Sequence, residues 1–311
     1  MATPNRTLLE KADLALADLI AGGGYLQPAQ AQKFMLLAVK ESDFLPLTTV
    51  VPMPTPKFRT SGVKMSGRVL RAGREAAAVV DVDRSRPEVS SVELDAQLVK
   101  GQVDLNDEVL EDNVERGDFK QTVMTMLAKA VSRDMEDIVL NGDRTSPDGT
   151  LALLDGVLTQ SRSNVVDAAG ARLSRDVCDD MLRTLPSEYL RYRKDLRLFV
   201  SHDAELDYRR GLAARETVAG DKFIETDAPV MHSGVPVMPL SLLPENLGPT
   251  GDQSVVLLCD PKNIQVGIYR QMRIETWRDV EKGLLKIVVT LRFDVKWADE
   301  RGTVKAIHVH V

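Results

Sequence analysis

The chain has 311 residues, of which 43% are hydrophobic and 28% charged, and its 40 basic against 46 acidic side chains leave a net charge of −6. That length allows two domains or one composite domain, and that balance supports a sizeable core without a disulfide or metal staple. The acidic balance and the lack of a dense Lys/Arg run argue against a protein that grips nucleic acid along a basic face. No apolar run reaches the ~18 residues of a membrane span, and the N-terminus carries no basic-then-apolar leader.

In chain order, residues 7–21 read as an amphipathic helix. Leu8, Leu9, Ala12, Leu16 and Leu19 share its face, and Gly22-Gly23-Gly24 stops it. A second helix is predicted from Pro28, a good first-turn residue, to about Glu41. Four prolines in Pro46 to Pro56 (PLTTVVPMPTP) then favour an extended segment lying against something else. Residues 57–88 are basic, and alternation around Val63–Met65 and Val80–Val82 predicts a two-stranded excursion. Such a pair is marginal alone and needs a neighbour to lie on.

Val92, Leu94, Ala96 and Leu98 alternate with polar residues, which predicts one half-buried strand ending at Lys100-Gly101. An acidic, turn-rich lead-in from Leu110 precedes a long helix with Asp118 as its N-cap and a stop at Asn141-Gly142. From Asp118 to Leu140 that helix spans roughly 35 Å at 1.5 Å per residue. Phe119, Val123, Met126, Leu127, Val131 and Ile138 are its candidate core residues, joined by Ala130 and Val139 at helical spacing.

Ser174 is predicted to cap a further helix to Leu185, with Val177, Met181, Leu182 and Leu185 as its apolar stripe. Strand Leu196–Ser201, a short helix from His202 to about Leu212, and strand signals at Gly234–Leu240, Ser254–Asp260 and Ile264–Tyr269 follow. The strongest β signal comes last. Leu285, Ile287, Val289, Leu291, Phe293, Val295 and Trp297 occupy every odd position of one run. Ile287, Val289, Leu291, Phe293 and Val295 are the candidate core of this strand, with the long helix as its packing partner and water on its other face.

No constellation for catalysis emerges. Ser201-His202-Asp203 has triad residue types, but neighbours in sequence cannot form the relay, and a strand end followed by a helix cap explains them. His308 and His310 share one face of a predicted strand without a third metal ligand. Gly22-Gly23-Gly24 lacks the Lys-Ser/Thr ending of a phosphate loop, and Asp81, Asp83 and Glu88 do not match a calcium-loop spacing. Asn5-Arg6-Thr7 is a sequon without consequence inside a cell. Cys178 and Cys259 fit no disulfide framework and read as buried small hydrophobes in a reducing compartment. No enzyme activity, cofactor or metal is expected. Lys57, Arg59, Lys64, Arg68, Arg71 and Arg74 read either as contacts to an acidic neighbour or as a solvated loop. Nucleic acid ranks third for them because aromatic interleaving is sparse.

Taken in order, these segments resemble the major capsid proteins of tailed phages, of the Hong Kong 97 type. The resemblance rests on VELDAQLVKGQVDLNDEVLEDN (Val92 to Asn113) and FKQTVMTMLAKAVSRDMEDIVLNGD (Phe119 to Asp143). It continues through LALLDGVL (Leu151 to Leu158) and DPKNIQVGIYRQMRIETWRDVEKGLLKIVVTLRFDVKW (Asp260 to Trp297). It implies an α+β, Hong Kong 97-like capsid fold. Residues 1–55 would form the N-terminal arm and 56–88 an extended E-loop. Residues 89–160 with 264–311 would form a peripheral domain of long β-strands around a spine helix at 118–140, and 161–263 an axial domain.

The resemblance further implies self-assembly into hexamers and pentamers of an icosahedral shell around packaged double-stranded DNA, held without sequence-specific contacts. Its partners would be a portal protein, a separate scaffolding protein and a decoration protein, with no membrane. The shell would be assembled in the bacterial host cytoplasm and become the virion capsid. Many relatives carry a long scaffolding segment at the N-terminus; only a short helical arm stands here, hence the expectation of a separate scaffold or none. Lys57 and Lys64 lie where some relatives cross-link subunits, but no partner asparagine can be placed and no cross-link is expected. Rival readings are the shell of an encapsulin-like cellular nanocompartment, an α+β enzyme, and a monomeric binding module.

Overall fold

The computed structural model describes residues 42, 44–65, 70, 87–106, 118–213, 230–279 and 281–311. The predicted helices at 7–21 and 28–41, the Gly22–Gly24 stop, Val80–Val82, Asp81, Asp83 and the lead-in from Leu110 to Gly117 lie outside the described residues.

Two sheets organise the chain. The first has four strands in the order β1-β10-β11-β4: β1 (Thr49–Pro52), β10 (Ile264–Asp279), β11 (Leu284–Trp297) and β4 (Gln97–Asn106). β1 runs parallel to β10, and the other pairs are antiparallel. A short turn joins β10 to β11, and Gly283 takes a φ of +58° there, a left-handed conformation that glycine adopts without steric cost. The second sheet has six strands in the order β5-β12-β9-β6-β8-β7. Its strands are β5 (Val165–Asp167), β6 (Arg197–Val200), β7 (Met231–His232), β8 (Val235–Pro239), β9 (Gln253–Cys259) and β12 (Val304–His310).

Helix α1 (Asp118–Asn141) joins the two sheets through one core. The odd residues of β11 that were expected to be buried, Ile287, Val289, Leu291, Phe293 and Val295, are each at most 4% exposed and belong to this core. Leu127, Ile138 and Val139 meet them from α1, and Phe199, Leu257 and Cys259 from the six-stranded sheet. Short α2 (Val157–Gln160) closes the same core, with the Trp297 indole N–H donating to the Val157 carbonyl. The opposite face of the six-stranded sheet buries Leu198, Val256 and Leu258 against α3 (Arg175–Thr184) and α5 (His202–Ala213). β9 is therefore apolar on both faces, which is why Val255 to Cys259 reads as a continuous hydrophobic run rather than an alternation. Ser174 caps α3, its hydroxyl accepting from the Val177 N–H. The short α4 (Ser187–Leu190) leads into β6.

Several boundaries differ from the sequence expectations. Met126 was expected in the core of the long helix but is 64% exposed. At 100° per residue the buried arc runs through Leu127, Val131, Met135, Ile138 and Val139, and Met126 projects from the opposite side with exposed Ala130. Val131 is half-buried against the core, while the side chains of Phe119 and Val123 lie outside the described residues. The single strand expected over Val92–Leu98 is two strands. β3 (Pro87–Asp95) pairs with β2 (Lys57–Met65), and the chain changes partner at Ala96, where its N–H donates to Pro56, before β4 joins β11. The excursion expected over 56–88 thus extends to Asp95, and Leu98 is exposed. β12, expected beside the long helix, hydrogen-bonds between β9 and β5 in the six-stranded sheet. Nor is the last part of the expected arm free. Phe44 stacks edge-on against Phe199 at 5.3 Å, Leu45 is 1% exposed, and the Ser42 hydroxyl donates to the buried Glu136 carboxylate at 2.5 Å.

The stop at Asn141-Gly142 has a packing cause. Gly142 does not take a positive φ. A Cβ there would stand 2.5 Å from the Leu154 carbonyl oxygen and 2.6 Å from that of Ile138, and Gly156 opposite is equally crowded. Neither backbone segment can yield, because the Gly156 N–H donates to the Gly142 carbonyl at 2.7 Å. Gly142→Ala is therefore expected to cost at least about 1–3 kcal/mol, as overpacking does. In urea unfolding of the unassembled subunit this appears as a lower midpoint at unchanged slope; an unaltered midpoint would refute the tight-contact reading.

Candidate assembly surface at the root of the β2–β3 excursion

The β2–β3 pair runs in strict antiparallel register from Lys57↔Asp95 to Met65↔Pro87. Two of the basic residues expected to reach a neighbour are paired inside this hairpin: Lys57 with Asp95 at 3.4 Å and Arg59 with Glu93 at 3.5 Å. Both pairs are largely exposed, and exposed pairs contribute little, ~1 kcal/mol or less. Lys64 sits opposite Glu88 in the register, whereas Arg68, Arg71 and Arg74 lie outside the described residues.

What fixes this hairpin is its root. Leu94 is fully buried and forms a small cluster with Met53 and Ala96, flanked by Phe58, Val51 and Tyr269. The cluster rests on the face of the four-stranded sheet turned away from α1. It lies over Gly267, where a Cβ would meet Met53 Sδ at 2.7 Å and Leu94 Cδ1 at 2.9 Å. Gly267 pairs across the ladder with Asp294. Asp294 is 2% exposed; its Oδ2 accepts the Asp95 N–H at 2.7 Å and its Oδ1 accepts the Val295 N–H at 2.8 Å. Burial raises the Asp294 carboxyl above its ordinary value, against the opposing pull of the Asp95 N–H and the Lys296 charge. The face of β11 expected to meet water is therefore covered at this point, by the backbone of the excursion.

Beside the root lies a cavity of about 500 Å³ between the excursion and both sheets, lined by Thr60, Val92, Tyr189, Lys262, Gln265 and Asp299 among others. The Tyr189 hydroxyl donates to the Asp299 carboxylate, and burial together with that neighbouring charge pushes Tyr189 up to about 12. Thr60 Oγ1 and Gln265 Oε1 are buried without a hydrogen-bond partner. Among its described lining residues, Tyr189 is a poorer acid than a free tyrosine, and a carboxylate is its partner.

The other candidates of the sequence reduce to structural roles. The Ser201 hydroxyl accepts from Ala204 N–H at the start of α5, and the His202 ring contacts Ser241 instead of its sequence neighbours. His308 pairs with Asp167 at 2.9 Å and His310 with Asp252 at 3.4 Å, two different carboxylates. Among the described residues no group of three His, Cys, Asp or Glu side chains is placed to hold a metal. Cys178 and Cys259 are buried and free, with burial driving Cys178 up to about 12 and Cys259 well above the usual thiol value. Sequence reasoning missed Gly267 and Asp294. A glycine inside a strand is a recognised sign of close backbone approach, so Gly267 was readable, whereas nothing in Phe293-Asp294-Val295 distinguishes a seated aspartate from a solvated one.

The description of the phage capsid family matches residues 22–306 of this sequence. The putative prophage capsid protein YqbE of Bacillus subtilis (strain 168) is 30% identical over 309 residues, which covers 98% of this chain and 99% of that one. A chain of the satellite phage P4 procapsid, a particle that includes the size determination (Sid) protein, superposes with a TM-score of 0.70 at 15% identity. That match covers 100% of this chain and 99% of the other. The capsid of a native GTA particle gives 0.63 at 15% identity over 88% and 90% of the two chains. At such identities the structural likeness is one of fold.

The raised Asp294 carboxyl carries a pH signature. Its folded value lies above the unfolded 3.8, so the folded state holds this proton more tightly and its contribution to stability falls as pH rises from about 4. Asp294→Asn removes that dependence. The stability of the parent relative to the variant should therefore be greatest near pH 3.5 and decline towards neutrality in urea titrations. A difference that stays constant or grows with pH would contradict the burial assigned to this carboxylate.

Proposed function

This chain belongs to the phage capsid family, and from that premise we propose that its copies assemble as hexamers and pentamers of an icosahedral shell enclosing double-stranded DNA. The observation that carries the proposal is the β2–β3 excursion: nine-residue strands whose root is seated on their own chain by Leu94 and Asp294. A two-stranded ribbon is marginal in water by itself, and the surface of an adjacent subunit supplies the missing face. On this reading residues 57–95 act as the E-loop and α1 as the spine helix. The four-stranded sheet belongs to a peripheral domain and the six-stranded sheet, with α3 and α5, to an axial domain. The chain before Ser42 serves as an arm.

The partners follow from the same reading. A portal protein replaces one vertex, a separate scaffolding protein sets curvature, a decoration protein is an option on the outer surface, and assembly takes place in the bacterial host cytoplasm. DNA is enclosed without sequence-specific contacts, and the net charge of −6 keeps phosphate retention weak, since tight phosphate binding would resist sliding. The protein acts as a structural element and not as an enzyme. The encapsulin-like reading is the weaker one: an encapsulin shares the fold at 14% identity, whereas the family match and the 30% identical relative both point to a phage capsid protein.

Negative-stain electron microscopy of the purified protein, alone and co-expressed with its scaffold, is expected to show closed shells or uniform rings. Leu94→Ala should leave both sheets folded by circular dichroism and sharply reduce the yield of shells, since it removes the buried anchor of the excursion. A monomer under both conditions would sink the shell reading; normal assembly of the Leu94 variant would remove the seat from it.

A further inference from the structure

A second cleft, of about 710 Å³, opens between the turn that follows α4 and the β7–β8 hairpin. The turn reads RYRKDLR from Arg191 to Arg197. Arg191, Arg193, Lys194 and Arg197 all line the cleft, and Asp195 is the one acid among its described lining residues. Arg193 donates to the Ser233 carbonyl at 3.2 Å, and Arg197 to the carbonyls of Lys194 and Leu196 at 2.8 Å each. Those bonds orient the two guanidinium groups without neutralising them. Among the described residues no carboxylate pairs with any of the four cations. Tyr192 and Met231 stand beside them 63% and 60% exposed. Arginine, tyrosine and methionine are the residue types that interfaces concentrate. In a chain of net charge −6, a cationic cleft whose cations have no carboxylate partner among the described residues, with an apolar rim, points to an acidic partner that also brings apolar side chains.

The same sequence contains a segment of that chemistry. Residues 107–117, DEVLEDNVERG, carry Asp107, Glu108, Glu111, Asp112 and Glu115 against a single Arg116, interleaved with Val109, Leu110 and Val114. We propose that the cleft around Arg191–Arg197 receives residues 107–117 of a neighbouring copy. The inference rests on the shell reading and names one of its contacts. The flanks of the segment, β4 and α1, belong to the four-stranded side of the molecule, whereas the cleft sits at the β7–β8 edge of the other sheet. The contact therefore joins unlike parts of two copies, a head-to-tail arrangement of the kind from which rings are built when the rotation closes. A nucleic acid is the weaker occupant, because Tyr192 is the only aromatic side chain among the described residues lining the cleft, and stacking along a strand needs successive rings.

The test uses full-length protein prepared in light and heavy isotope forms, mixed, assembled and treated with a water-soluble carbodiimide. That reagent condenses a lysine amine with a carboxylate in direct contact. Lys194 should be joined to Glu108, Glu111, Asp112 or Glu115 in peptide pairs that combine one light and one heavy partner. The variants Arg191→Glu/Lys194→Glu and Glu111→Lys/Asp112→Lys should each lower shell yield by about tenfold or more, the expected effect of facing like charges. The chain carrying all four changes should recover it.

Shells that form without these cross-links, and that Arg191→Glu/Lys194→Glu leaves unaffected, would overturn the inference and leave the shell reading standing. Cross-links confined to pairs of one isotope would place the segment on its own subunit and overturn it equally. So would failure of the fourfold variant to recover, or salt-sensitive binding of a duplex oligonucleotide that Arg191→Glu/Lys194→Glu abolishes. Failure of the unmodified protein to oligomerise at any salt concentration would end both readings.

Discussion

The placement of the excursion depends on one stretch of β11 being covered from both sides. Phe293 and Val295 face α1, and Asp294 between them faces the root of the β2–β3 hairpin, so three successive residues are buried in a strand whose other even positions are only half-buried. The strand is thereby a common support. Its odd side chains hold the helix to the sheet through apolar burial, which is strong but tolerant of small shifts. Its single aspartate holds the Asp95 N–H at 2.7 Å, a directional bond that specifies where the hairpin leaves the sheet. Leu94 and Met53 settle over Gly267 because no side chain stands in the way.

The two sheets are held to one another differently. α1 lies in a core to which both contribute, and the same core takes in Phe44 and Leu45 from the N-terminal side. Chain segments far apart in sequence meet there: 44–45, 127–140, 154–158, 199, 255–259 and 287–297. Sharing one core makes the two sheets a single mechanical unit, so a load applied to the excursion or to the six-stranded sheet reaches the other through packed side chains, which deform little. A shell subunit needs this combination of a stiff body and an extension that another subunit completes.

How much was legible in the sequence follows from which interactions are local. The alternation in β11 and the Ser174 cap depend on neighbours a few residues away and are readable locally; the stop at Asn141-Gly142 was readable from its residue types, although its cause lies in the contact with Leu154 and Gly156. Met126 was misplaced because the long helix carries apolar residues on two sides, and only the tertiary contact decides which side is covered. The break between β3 and β4 was invisible because Leu94, Ala96 and Leu98 keep their alternation while the backbone changes partner. The membership of β12 was equally hidden: a strand following Trp297 pairs with its neighbour in sequence or crosses to another sheet, and alternation does not distinguish the two. At the root, Gly267 left a readable trace and Asp294 none, since an aspartate in an even position looks the same whether its face is wet or covered.

The charge distribution carries the argument one step past the fold. A net charge of −6 describes the whole chain poorly when five carboxylates stand within residues 107–117 and four cations within residues 191–197. Such opposite concentrations attract over about one Debye length, ~8 Å at physiological salt, and little beyond it. They therefore act late, once apolar surfaces have brought copies near each other, and they select orientation more than they add affinity. An assembly built from many identical contacts benefits from that division. If each contact were strong, wrongly oriented neighbours would be trapped, whereas weak contacts of defined polarity let them separate and try again. On the proposed pairing, cations matched to a neighbour's carboxylates would have little left to offer a phosphate, which would keep subunit contacts apart from nucleic acid.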